Sequence, residues 1–228
     1  MKRLLPILVL HFIGLPRSVA DLALSQEIEG GPQPGQVVMR VKGDRLRIDL
    51  PGGTNGSMST ILDIVTGDTT TLVHKKKIAI TRTGSQVKQA EEARAKRAGA
   101  DMAKKVELPK PTTTGLMERV GEYAAEVYTM LADGSKDTLW VVRDFPDFDA
   151  IKADLVRVSQ ASTAGINRAG TLDVTTLPGM VVKRQKERGG QKMTITLKGV
   201  ERDVIADSTF AIPAEYKSIA PGTRTTEN

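Results

Sequence analysis

Val37-Val38-Met39-Arg40-Val41-Lys42-Gly43-Asp44-Arg45-Leu46-Arg47-Ile48-Asp49-Leu50 alternates apolar and polar side chains on both sides of a Gly-Asp pair. Successive side chains of a strand point to opposite faces, so Val37, Met39 and Val41 share a face with Leu46, Ile48 and Leu50. Gly43 stands first in the two-residue loop, where a type II′ turn needs the positive φ that glycine adopts without steric cost. Residues 37–50 are predicted to form a half-buried β-hairpin. Its polar side gathers Arg40, Lys42, Arg45 and Arg47 on a small area.

Outward from this hairpin, Pro51 to Gly56 reads as a loop, and Thr60–Val65, Thr69–Val73 and Ile78–Arg82 as a meander of short strands. Gln86 to Val106 is rich in Ala, Glu, Lys and Arg, with Glu92/Lys96 and Asp101/Lys105 four apart, and predicts a surface helix weakened at Gly99. Pro109 to Gly115 is an extended connector. Glu118–Met130 and Lys136–Arg143 then pair, and Leu139-Trp140-Val141-Val142 lacks alternation, which predicts a strand covered on both faces. Asp147 stands at an N-cap position before Phe148, Ile151, Leu155 and Val158, whose spacings place them on one helical face. After a polar connector over residues 161–179, Met180–Lys186 and Gln191–Lys198 form a second hairpin across Arg188-Gly189-Gly190, with Met193, Ile195 and Leu197 facing inward. Phe210, Ile212 and Tyr216 pin the end of a single β-rich domain spanning 21–217, and residues 218–228 read as a disordered tail.

The first twenty residues carry a basic start (Lys2, Arg3), an apolar run from Leu4 to Leu15, and the small-residue tripeptide Ser18-Val19-Ala20. This order predicts an export signal cleaved between Ala20 and Asp21, and a periplasmic or secreted location. Pro6 and His11 interrupt the apolar run, which falls short of the roughly 20 residues of a membrane-spanning helix, so no transmembrane anchor is expected after cleavage. The chain of 228 residues has a net charge of +6, to which Lys2, Arg3 and Arg17 contribute, and it has no cysteine. Thiolate chemistry and lipid attachment at cysteine are thereby excluded.

The phrases Arg45-Leu46-Arg47-Ile48-Asp49, Ile61-Leu62-Asp63 with Gly67, Gly115-Leu116-Met117-Glu118-Arg119-Val120-Gly121-Glu122-Tyr123, Leu139-Trp140-Val141 and Phe210-Ala211-Ile212-Pro213, in this order, resemble an uncharacterised exported bacterial family, the domain of unknown function DUF4412. The order of elements is also similar to periplasmic lipoprotein carriers and receptors of the LolA and LolB type. That second resemblance implies a mainly β (α+β) fold, a curved, incompletely closed antiparallel sheet or half-barrel with two principal helices and an apolar hollow for acyl chains. Leu46, Ile48, Leu62, Ile64, Met193, Ile195 and Leu197 would line the hollow, and Phe148, Ile151, Leu155 and Val158 would form the helix that plugs it. Each of these would look the same in an ordinary core.

His74 is the one histidine beyond the signal, and it could act as a base beside Asp63 or Asp68 toward a serine. No Gly-x-Ser-x-Gly elbow presents a serine, and the plainer expectation is an exposed, idle side chain at a strand end beside Lys75-Lys76-Lys77. A lone imidazole without thiolate argues against a zinc site. Asp144, Asp147, Asp149 and Asp154 cluster around a helix start, where capping explains them better than glycoside chemistry does. No phosphate-binding fingerprint appears, so no cofactor is expected. Aromatic residues make up 4% of the chain, too few to stack on nucleic acid. The four basic side chains of the first hairpin suit an anionic envelope surface, or protect an edge against aggregation. The expectation is a non-enzymatic envelope protein that holds a hydrophobic ligand or a lipoprotein acyl chain in its sheet. The competing expectation is an interaction or structural module with a self-filled core, and an unrecognised hydrolase is the third.

Overall fold

The computed structural model describes residues 20–53, 56–97, 110–132, 134–161 and 176–221. Twelve strands form one open sheet: β1 (Leu22–Gly30), β2 (Gly35–Lys42), β3 (Arg45–Gly53), β4 (Gly56–Asp63), β5 (Thr69–Val73), β6 (Ile78–Arg82), β7 (Thr112–Val120), β8 (Tyr123–Ala132), β9 (Ser135–Val142), β10 (Met180–Arg188), β11 (Gln191–Glu201) and β12 (Lys217–Ile219). Two α-helices interrupt them, α1 (Gly84–Arg97) and α2 (Phe148–Ala161). The spatial order is β12-β6-β5-β4-β3-β2-β1-β11-β10-β9-β8-β7. Among the described residues every neighbouring pair is antiparallel except β12 on β6.

The β2–β3 hairpin forms as its alternation predicts, with Gly43 at φ +52° and a ladder from Lys42–Arg45 to Val38–Asp49. Register converts the alternation into a core. Leu22, Val41, Leu46 and Leu62 lie opposite one another across β1, β2, β3 and β4, and all four are buried. Leu24, Met39 and Ile48 form the next row of the same apolar cluster, onto which Ile151 and Val158 of α2 are packed. β9 is covered on both faces: Trp140 and Val142 belong to the large cluster, while Leu139 and Val141 join Tyr128 and Leu177 in a smaller one.

The structure departs from the sequence reading at several points. β1 was not anticipated, yet it is the strand that joins β2 to β11. The stretch 118–130 is two strands rather than one, because Gly121, at φ +58°, turns the chain between Val120 and Tyr123. Residues expected to loop at Pro51–Gly53 continue the β3 ladder, with Gly53 opposite Gly56. The connector expected through Gly115 is already strand from Thr112, with a register shift between Thr113 and Met117 around Gly115 at φ +74°. Such an irregularity on an edge strand discourages pairing with other chains. Ser218 and Ile219, expected in a disordered tail, are strand instead and pair with Ala79 and Ile80. Ile212 does not pin the end; it is exposed, whereas Phe210 is buried. The expected export signal before Ala20, the expected helix beyond Arg97, the expected connector over 162–175 and residues 222–228 lie outside the described residues.

Candidate functional site

The residues expected to line a hollow are brought together in large part. Leu46 and Leu62 are buried in the main cluster, and Ile48, Ile64 and Leu197 pack against it. Met193 and Ile195 belong to neither cluster and stay half-buried, Ile195 lying opposite Ile28 and Met193 opposite Gly30. In the expected plug, Ile151 is 0% exposed and Val158 is buried, while Phe148 and Leu155 pack at the margin. Ridge residues three, four and seven apart put this face on the sheet.

α2 is also fastened by charge. Arg157 donates from Nη2 to the Gly43 carbonyl at 2.5 Å and to Asp44 at 2.9 Å, at the tip of the first hairpin. The buried Asp154 accepts from Arg202 at 2.7 Å, just beyond β11. Asp147 occupies the cap position, its carbonyl accepting from the Ile151 amide at 3.0 Å, but at φ +53° it is left-handed rather than extended. An open hollow of about 590 Å³ lies beside this first turn, lined in part by Arg143, Phe145, Phe148, Leu177 and Pro178. Arg143 is turned to Glu126, donating through Nε and Nη2 at 2.9 and 2.6 Å. The Thr113 hydroxyl and this guanidinium hold the Glu126 carboxyl below its ordinary range.

The basic face of the hairpin is not bare. Arg40 and Arg47 both bind Asp49, and Arg47 also donates to the Thr209 carbonyl at 2.7 Å. Lys42 donates to the Ile205 carbonyl at 2.5 Å and lies 3.1 Å from Asp207; Arg45 is 3.9 Å from the same carboxylate. Burial pushes the Asp49 carboxyl up, but the Ser59 hydroxyl, Arg47 and Arg40 outweigh it and hold the group below the usual carboxylate range.

His74 is neither exposed nor idle. A 3-10 turn over His74–Lys76 brings its Nε2 to 2.7 Å from Ser59 Oγ and its Nδ1 to 2.5 Å from the Tyr216 hydroxyl. Ser59 donates to Asp49 at 2.5 Å and accepts from Arg47 at 3.1 Å, which assigns the imidazole proton to Nε2 and makes Nδ1 the acceptor from Tyr216. Ser59 is fully buried, so this serine–imidazole contact faces the protein interior. Asp63 and Asp68, the carboxylates expected beside His74, serve other groups: Asp63 accepts from the Val65 and Thr66 amides, and Asp68 from the Gly84 amide. The sequence shows no signal for the Ser59–His74–Tyr216 contact, whose members are 15 and 142 residues apart. Among the described residues no three histidine or carboxylate groups gather as a metal site, and no helix is long and apolar enough to cross a membrane.

No curated protein matches the chain. Crystal structures of PNGF-II in space groups P21 and C2 are similar over 88% of this chain, at 6% identity and TM-scores of 0.39 and 0.40. The chain spans 31% of the length of those proteins. The family model of a domain of unknown function, DUF4412, matches residues 21–216, which takes in β1 and runs to Tyr216 beside β12. The chain belongs to the DUF4412 family.

Proposed function

We propose that this protein is an exported, non-enzymatic interaction module of the bacterial envelope, with a sheet that wraps its own helix as a half-barrel of the LolA type wraps its plug. The observation that carries this reading is the seating of α2: Ile151 and Leu46 are both fully buried in one apolar cluster, so the face available to an acyl chain is already occupied. A carrier would have to lift α2 away from the Arg157–Gly43 and Asp154–Arg202 contacts, exposing apolar area at about 25 cal/mol per Å². The export signal at Met1–Ala20 supplies the location.

A second reading, retention of a lipid-like ligand, draws on the open hollow beside the first turn of α2, where Phe145, Phe148 and Leu177 offer apolar surface. Titration with a fluorescent fatty acid separates the two. The module gives no displaceable emission, and its unfolding midpoint is unchanged by added lipid. Displaceable emission that a Phe148→Asp variant loses would establish the carrier instead. N-terminal sequencing of protein from the periplasmic fraction should begin at Asp21.

A further inference from the structure

We propose that the basic face of β2 and β3 is a docking site for an acidic peptide, and that residues 203–219 are its resident occupant, a strap which such a peptide displaces. This rests on the surface-contact reading above and names the surface.

Beyond β11 the chain turns back over the polar side of the first hairpin. It is held there by a regular set of acceptors: the Ile205 carbonyl on Lys42, the Asp207 carboxylate between Lys42 and Arg45, and the Thr209 carbonyl on Arg47. Asp207 to Phe210 form a 3-10 turn, with the Thr209 amide bonded to the Ala206 carbonyl at 3.0 Å, so the carboxylate and the carbonyls to either side of it are presented by a turn of polypeptide. The cations of the hairpin are met by one carboxylate and two main-chain carbonyls of a single polypeptide segment, so the contacts favour a peptide over a lipid headgroup.

The strap is attached with little apolar burial. Phe210 is its one buried residue, and most of the others between Asp203 and Ile219 are exposed. At its far end Tyr216 donates to His74, and the Lys217 amide bonds the Lys77 carbonyl at 2.9 Å, extended by three paired residues of β12 on β6. At its near end the Ile205 amide donates to Asp21 at 2.8 Å. Exposed ion pairs and short ladders are weak individually and screened by salt, so a competitor carrying more carboxylates than Asp207 alone can replace them. The donors it would meet, Lys42, Arg45 and Arg47, stand in place on a rigid hairpin.

Amide hydrogen exchange on the full chain tests this, with poly-L-glutamate as the probe and poly-L-lysine as its control. Exchange at Ile205, Thr209 and Lys217 should accelerate about two- to five-fold with poly-L-glutamate, the worth of one exposed ion pair, while the amides of the β1–β2 ladder do not change. Asp207→Asn should produce a similar acceleration without any probe. In a Lys42→Gln, Arg45→Gln variant the strap should already exchange faster, and poly-L-glutamate should add nothing. Strap amides that ignore poly-L-glutamate, or that exchange only together with the β1–β2 ladder, overturn the proposal. Acceleration by phosphatidylglycerol vesicles alone overturns it in favour of a membrane. None of these outcomes bears on the fatty-acid titration, so this inference and the interaction-module reading fail separately.

Discussion

Arg157, on the third turn of α2, reaches the carbonyl of Gly43 at 2.5 Å and so ties the helix to the tip of the first hairpin. The same guanidinium lies 3.6 Å from Asp154 one turn earlier. Helix and hairpin are therefore joined by a polar contact as well as by their shared apolar cluster. Arg157→Ala should lower stability by about 0.5–1.5 kcal/mol, the usual net worth of a hydrogen bond, and should speed exchange in the last turn of α2 first. Uniform acceleration across the whole molecule would show that the contact does not restrain the helix locally.

Ile151→Ala should cost about 2–5 kcal/mol, because a fully buried side chain leaves a cavity that a twelve-stranded sheet cannot collapse around. Leu155→Ala, at the margin of the same cluster, should cost less. Urea unfolding of both variants checks the order, and a reversed order would mean that α2 is seated differently on the sheet.

Asp49 makes stability fall with acid. Its carboxyl is held below the ordinary range in the fold, so the unfolded chain binds the proton more readily. Its contribution is complete above the unfolded value of about 3.9 and is lost as pH falls through the lower folded value. Urea midpoints measured from pH 6 down to the acid limit should decline in the wild type, with a smaller decline in Asp49→Asn. That variant should also be less stable at pH 7, since Arg40 and Arg47 lose their shared counter-charge.

His74→Ala should cost about 1 kcal/mol through loss of the bridge between Ser59 and Tyr216, with Ser59 still bound to Asp49 and Arg47. The loss should appear as faster exchange at Lys217 and unchanged exchange in β1 and β2. Unchanged exchange at Lys217 would mean that Tyr216 is held without the imidazole.

The parts of this fold that the sequence makes legible are those decided by neighbours in the chain. Alternation and Gly43 identify β2 and β3, the bounds of β5 and β6 follow from Gly67 and the lysine run, and the unbroken Leu139–Val142 marks a strand buried on both sides. Leu22, Leu24 and Ile28 fall on one face of β1, but Gln26 interrupts the apolar series and the segment directly follows the expected export signal, so its strand character is not legible from the sequence. Gly121 was missed as a turn because apolar residues continue on both sides of it. Periodicity tells which face a side chain takes, never what covers that face. Arg45 and Arg47 could be placed on the polar side of a hairpin from their spacing alone, whereas Asp207 and the Thr209 carbonyl, more than 150 residues later, come to them only through the tertiary fold. The same limit hid the partners of His74 and left Ile195 indistinguishable from core.

β1 is the first strand of the domain, and its two neighbours arrive at very different times. β2 follows within a few residues, but the ladder to β11 joins Ala23 to Glu201. Closing so long a loop is slow compared with forming local hairpins. The sheet thus divides into two halves of local connections, β1–β6 and β7–β11, joined by the β1–β11 ladder. Without that ladder one edge of β1 would be an open template, so a single seam through the middle of the sheet separates a closed interior from an exposed edge.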